Sequence, residues 1–289
     1  MKYVIVIILV LAVAAVFVFR NDMPAGLLAA ENTKSEQKKD KKVKDKGTAS
    51  QNITVNKTWD LPDRLKEISG LQYLDENRFA CVQDEEGVIF IYNVQQNKIE
   101  KEISFAGAGD YEGLAIAGNN AYVVRSDGQL YEINNWQGKP EVTQHKTGLT
   151  DHNVEGLFYD ASYNRLLLAI KDDEPGGKDY KGVYAFDING KKMNAEPVYK
   201  LMVENGGKKK KLMKPSDIAR HPSTNELYVL DGPASKLVVL DASGKLKQTY
   251  NLGNAFEQPE GISFNTNGDM FISNEGVKGS GNIKQVTLR

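Results

Sequence analysis

Gln258–Gly276, QPEGISFNTNGDMFISNEG, decides the fold. It reads as a carboxylate, a glycine, a short apolar strand (Ile262–Phe264), a polar turn (Asn265–Asp269), a second apolar strand (Met270–Ile272) and a closing polar cluster, Ser273, Asn274 and Glu275. An antiparallel hairpin begins and ends at the same edge of a sheet, which puts Glu260 and the Asn274/Glu275 pair on one face of the protein.

Worn copies of the unit precede it: ISGLQYLDENRFACVQDE from Ile68, YEGLAIAGNNAYVVRSDG from Tyr111, VEGLFYDASYNRLLLAIKDD from Val154 and PSDIARHPSTNELYVLDG from Pro215. Aligning the residue before the Gly or Asp brings Ser69, Glu112, Glu155, Ser216 and Glu260 into register, at intervals of 43, 43, 61 and 44. A period of about 40–45 residues built from four short strands is a β-propeller signature. The expected fold is all-β, a five-bladed propeller over residues 52–289. The longer third interval is assigned to glycine-rich insertions at Asp172–Tyr180 and Asn205–Leu212.

The last unit reaches Arg289 after three strands, while Ile53–Leu61 is a strand without a hairpin partner. Open sheet edges are a liability, so this N-terminal strand is expected beside Ile283–Leu288 as the outermost strand of the last blade, closing the ring. Cys81 stands between apolar strand residues and reads as a small core side chain.

Seventeen apolar residues, Tyr3–Phe19, lie between Lys2 and Arg20, within the range of a short membrane helix or a long export signal. Residues 1–20 are read as a single-pass transmembrane anchor with an export signal as the alternative, and residues 21–51 as a disordered Lys-rich stalk. The flanking charges favour an internal N-terminus, which places a monomeric propeller on the extracytoplasmic side of the plasma (inner) membrane, in the periplasm where a second membrane exists. Residues 1–51 carry nine basic and five acidic side chains; the remainder, with 28 basic and 33 acidic, has no basic footprint for nucleic acid.

The start of each innermost strand opens onto the central channel, so Ser69, Glu112, Glu155, Ser216/Asp217 and Glu260 are expected around one mouth. Glu67, two residues before Ser69, is a substitute for the carboxylate that Ser69 lacks. Converging carboxylates raise one another's pKa unless a cation joins them, and an irregular ring of oxygens suits Ca2+ better than Mg2+. Alternatively, each acid caps backbone amides of a neighbouring blade or pairs with Arg125 or Lys171 at the ends of the second strands.

Together LKEISGLQYL, GDYEGLAIAG with VVRSDG, NVEGLFYD with LLLAIKDDEPGG, and QPEGISFNTNGDMFISNEG resemble the SdiA-regulated (YjiK-like) family. That resemblance implies an envelope protein with a five-bladed propeller and bound calcium, distantly similar to NHL-repeat, gluconolactonase and strictosidine-synthase-like propellers. Carried over by position, the metal-ligand candidates are Glu112, Glu155 and Glu260, with Glu67 and Asp217 behind them. An Asp displaced by one position along a strand points to the other face, which sets Asp217 apart.

Two functions follow. One is a calcium-stabilised binding module whose mouth engages an envelope ligand or protein partner; the other is a metal-dependent hydrolase of a lactone or phosphoester. His152, three residues before Glu155, is the one histidine placed to act as the hydrolase's base, since His221 falls in a turn at the opposite face and His145 on an outer strand. No G-x-S-x-G elbow, Walker loop or clustered histidine set is present, and nothing supports a quinone-cofactor propeller.

Overall fold

The computed structural model describes residues 53–150, 152–174, 176–202 and 212–289. The expected anchor and stalk, and the insertion loop as far as residue 211, lie outside the described residues.

The apolar runs form five antiparallel sheets, each entered through its innermost strand. Blade 1 comprises Ile68–Asp75, Arg78–Gln83, Glu86–Asn93 and Lys98–Ala108; blade 2 comprises Tyr111–Ala117, Asn120–Arg125, Gln129–Asn134 and Glu141–Lys146. Blade 3 has three full strands, Val154–Asp160, Arg165–Ile170 and Lys181–Asp187. Its outer edge is divided between the short strands Lys192–Met193 and Tyr199–Leu201, both paired with Lys181–Asp187. Blade 4 runs Pro215–Arg220, Leu227–Asp231, Lys236–Leu240 and Leu246–Asn251. Blade 5 runs Pro259–Phe264, Met270–Asn274 and Asn282–Leu288, and its fourth strand is Ile53–Asp60.

The N-terminal strand therefore closes the ring as expected, with Ile53 opposite Leu288 and Asp60 opposite Asn282. Trp59 strengthens the seam, its ring 6.3 Å from both Phe79 of blade 1 and Phe271 of blade 5. Tyr73 stacks on Phe271 at 5.3 Å, and its N–H donates across the same seam to Ser263 Oγ at 2.9 Å.

Alternating strands bury one face against each neighbouring blade, so the core is five clusters, one per blade interface. Ile89, Ile91 and Phe105 of blade 1 meet Tyr111, Tyr131 and Trp136 of blade 2. Cys81 is buried in the blade 5–blade 1 cluster, which raises its thiol pKa and leaves it a packing residue.

At the axis the inner strands approach so closely that a side chain is excluded. A Cβ at Gly113 would lie 2.6 Å from Glu155 O and from Leu157 Cβ of blade 3; at Gly70 it would lie 3.0 Å from Leu114 N of blade 2. At Gly156 it would meet Ile218 Cγ2 of blade 4 at 3.0 Å, and at Gly261 it would meet Leu71 Cβ of blade 1 at 2.8 Å. Each of these positions follows a β-bulge that skips the preceding residue: Ser69, Glu112, Glu155 and Glu260, with Ser216 in the same place in blade 4.

Gly113→Ala is expected to destabilise by about 1–3 kcal/mol through overpacking against a backbone that cannot yield. Gly107→Ala, whose Cβ would meet nothing within 4 Å, should be near neutral, and equal denaturation midpoints for the two variants would contradict this packing. Deleting residues 53–60 should abolish the cooperative unfolding transition. A deletion variant that melts like the parent would mean the seam does not need this strand.

Candidate functional site

The bulges place the ring residues at one mouth, and the five positions then divide by chemistry. The two serines stitch blades together: Ser69 Oγ donates to Tyr111 O at 2.6 Å, and Ser216 Oγ to Pro259 O at 2.8 Å. Both acceptors are carbonyls of the residue just before the next blade's ring glutamate, Glu112 and Glu260. The three glutamates have no such backbone role. Glu155 is 2% exposed and Glu260 9%, and electrostatic coupling links both to Glu112.

Two further sets of residues share the mouth, also once per blade. The residue two before the ring position is Glu67, Asp110, Asn153, Lys214 or Gln258, and the residue just after the second strand is Asp84, Ser126, Lys171, Gly232 or Glu275. Backbone bonds tie the sets together in four blades: Asp84 N to Glu67 O (3.4 Å), Ser126 N to Asp110 O (2.9 Å), Lys171 N to Asn153 O (2.8 Å) and Glu275 N to Gln258 O (3.0 Å). Sequence reasoning singled out Glu67 and Glu275 but passed over Asp84, Asp110, Asn153 and Gln258. The repeat interval that aligned the ring would have found all four.

Lys171 supplies the cationic centre. Its Nζ lies 2.6 Å from Glu155 Oε1, which also accepts from Asn153 Nδ2 at 3.0 Å. Arg125, the other expected partner, turns instead to Asp127 (2.6 Å) and Tyr131 (3.2 Å). Burial disfavours the Lys171 ammonium, but Glu155, Glu260 and Glu112 outweigh it and hold its pKa above the usual lysine value.

Among the described residues Lys171 is the lysine that acts on all three glutamates, and it does not hold them in the ordinary range. Burial, then Glu155 and Asp110, push Glu112 up to about 9. Glu260 is pushed up to about 7, chiefly by burial, with Lys171 and a hydrogen bond from Gln258 pulling the other way and Glu275 and Asp84 adding to the rise. Burial also raises Glu155 against the pull of Lys171. At the rim, Asp84 rises to about 6 through burial and the charges of Glu67 and Glu275. Glu275 is raised by burial and Glu67.

Asp217 has a different job. It occupies the position of the glycine in the other four units, and its two oxygens accept Ile262 N of blade 5 at 2.8 Å and Leu157 N of blade 3 at 3.4 Å. It is the amide cap weighed as the alternative for each acid, with both oxygens committed. Burial pushes its carboxyl well above the ordinary value, against these donors. His152 lies beside the site in sequence; its carbonyl accepts Asp172 N at 3.2 Å, and its Nδ1 is buried without a partner. His145 pairs with Glu132 at 2.8 Å on the outer strand of blade 2, and His221 packs on Phe264 at 5.1 Å in the turn between the first two strands of blade 4.

Could these residues hold a calcium ion? Their chemistry suits a hard cation. Glu155 Oε2 and Asp84 Oδ1 are buried oxygens without a hydrogen-bond partner, which in a native protein calls for a water or an ion. Among the described residues no group of three or more acid, histidine or cysteine side chains is placed to hold a metal ion as the side chains stand. The donors fit in kind and in charge, with the Lys171 ammonium as the cation that Glu155 meets in this structure.

Residues 45–277 match the SdiA-regulated family, and the chain belongs to it. No curated protein matches it by sequence. Solved propellers share its fold at low identity. Glutaminyl cyclase of Myxococcus xanthus superposes with a TM-score of 0.59 at 13% identity, covering 82% of this chain and 96% of that one. The PQQ-bound aldose sugar dehydrogenase of Streptomyces coelicolor gives 0.53 at 13% identity, covering 82% and 98%. A chain of a nidogen/laminin complex gives 0.50 at 15% identity, covering 72% of each. Enzymes and a binding partner share this scaffold, so the fold alone does not select an activity.

The raised glutamates set a pH dependence for the metal-free protein. Glu112 and Glu260 ionise near their ordinary 4.5 when unfolded, but only near 9 and 7 when folded. Between those values the unfolded chain loses protons first, so the stability these groups contribute below about pH 4.5 is lost as pH rises towards about 9. Carboxylates held low, such as Asp75 and Asp127, act below this window. In EDTA, the melting temperature should fall from about pH 5 to about pH 9, and Glu112→Gln should flatten the alkaline part. A melting temperature that rises across this range would contradict the burial of ionised acid at the mouth.

Proposed function

We propose that this protein is a calcium-binding recognition module of the cell envelope, its propeller displayed on the extracytoplasmic side of a membrane by the N-terminal apolar segment. The observation that carries the calcium reading is the imbalance at the mouth: among the described residues three glutamates, two of them buried and Glu112 half-buried, share Lys171, and Glu155 keeps an oxygen without a partner. Buried charge without compensation destabilises a fold, and acids with strongly perturbed pKa values in a cleft mark functional sites. Glu112, Glu155 and Glu260 would hold the ion, with Glu67 and Asp84 adding negative charge at the rim. When bound, calcium would neutralise the cluster and fix the blade ends that present the mouth to a ligand.

The membrane part rests on the apolar run Tyr3–Phe19 and the lysine-rich stretch after it. The hydrolase alternative rests on His152 as its base, whose buried Nδ1 has no hydrogen-bond partner in this structure.

Thermal melts of wild type and of Glu112→Gln, Glu155→Gln and Glu260→Gln, in calcium and in EDTA, test this reading. A ligand at roughly 100 times its Kd stabilises by about 2.7 kcal/mol, so wild type should gain several degrees in calcium and each variant less. Asp217→Asn, which weakens an amide cap instead, should lose stability equally in both buffers. A wild-type melt that calcium leaves unmoved would remove the proposed ion.

A further inference from the structure

In this structure the position facing Glu155 is taken by a positive charge that belongs to the chain. Lys171 is the first residue after the strand Arg165–Ile170, and its backbone is clamped on both sides: its N–H donates to Asn153 O at 2.8 Å, and its carbonyl accepts Lys181 Nζ at 2.9 Å. Lys181, 1% exposed, is itself held by Asp173 at 2.5 Å, so the start of the 172–180 insertion anchors the root of Lys171. The head of the side chain is freer than its root. The Lys171 side chain is 22% exposed, whereas that of its partner Glu155 is 2% exposed. Of the two, only the lysine has a way out to solvent.

We propose that Lys171 is an intrinsic competitor for the cation subsite: its ammonium holds the glutamate cluster together in the absence of metal and must leave Glu155 before a divalent ion can engage Glu112, Glu155 and Glu260. This rests on the calcium reading above and adds what sets the affinity. A unit positive charge a few ångströms from a doubly charged ion repels it enough, at the effective dielectric of a protein, to weaken its binding by about tenfold or more. The two cations are therefore alternatives. The lysine keeps the acids tolerable when calcium is scarce, and it sets a threshold concentration below which the mouth stays metal-free. A calcium site without such a competitor would bind more tightly and fill at a lower concentration of free calcium.

Calorimetric titration of calcium into the full-length protein separates the possibilities. Lys171→Met should bind at least about tenfold more tightly than wild type, whereas Lys171→Arg, which keeps the charge, should stay close to wild type. Equal or weaker binding by Lys171→Met would overturn the role of Lys171 and leave the calcium reading standing. No binding by either protein would overturn both. Should Lys171→Met fail to fold, the wild type carries its own test: amine-reactive labelling read by peptide mass spectrometry should modify Lys171 faster in saturating calcium than in EDTA. Equal labelling rates would mean that the lysine never leaves Glu155 and would overturn the proposal.

Discussion

The structure depends on how closely its five inner strands meet around the axis. Backbone and side-chain atoms of one blade stand within about 3 Å of where a Cβ of the next would be, at Gly70, Gly113, Gly156 and Gly261. That approach leaves no room for a side chain on the glycine, and the bulge just before it turns the preceding residue out of the ladder. The recurring acid–glycine pair is thus one device. Its glycine lets the blades close, and its acid is delivered to the mouth as a consequence. Blade 4 is the exception that supports this account. Asp217 replaces the glycine, and its carboxylate is accommodated because it accepts amides from the blades on either side.

Electrostatics at the mouth runs against stability. Three glutamates are gathered there, Glu155 and Glu260 buried and Glu112 half-buried, with Asp84, Asp110, Glu67 and Glu275 nearby and the Lys171 ammonium among them. Nothing in packing requires acids there, since Ser69 and Ser216 fill equivalent positions and add blade-to-blade hydrogen bonds. A chain selected for stability alone would have serines at all five. Keeping glutamates at three of them is what the proposed cation would account for. The acids are also unevenly spread: blade 4 contributes Ser216, Gly232 and Lys214, so the negative side of the mouth spans blades 5, 1, 2 and 3.

Much of this was legible in the sequence because propeller blades repeat. The five units, the closing strand at Ile53–Leu61 and the shared face of Glu260 and Glu275 all follow from period and alternation. What the repeat could not give was partner choice. Arg125 and Lys171 end equivalent second strands within one residue of each other, yet Arg125 finds Asp127 two residues on, while Lys171 has Glu155 across the hairpin. That difference depends on side-chain reach. The divided outer edge of blade 3 was equally hidden, because Lys192–Met193 and Tyr199–Leu201 are too short to show a period. Asp84, Asp110, Asn153 and Gln258 were legible in the same way, standing two residues before the ring position or just after the second strand of each blade.

On the proposed function, the mouth glutamates are gathered to bind a divalent cation. Equilibrium dialysis of the purified protein against millimolar calcium, with metal content measured per chain, tests it most directly. One bound calcium is expected for the wild type, and none at this site when Glu112, Glu155 and Glu260 are all replaced by Gln. A wild-type protein that retains no calcium above the triple variant would contradict the account and leave the ring as an acid cluster held by Lys171 alone.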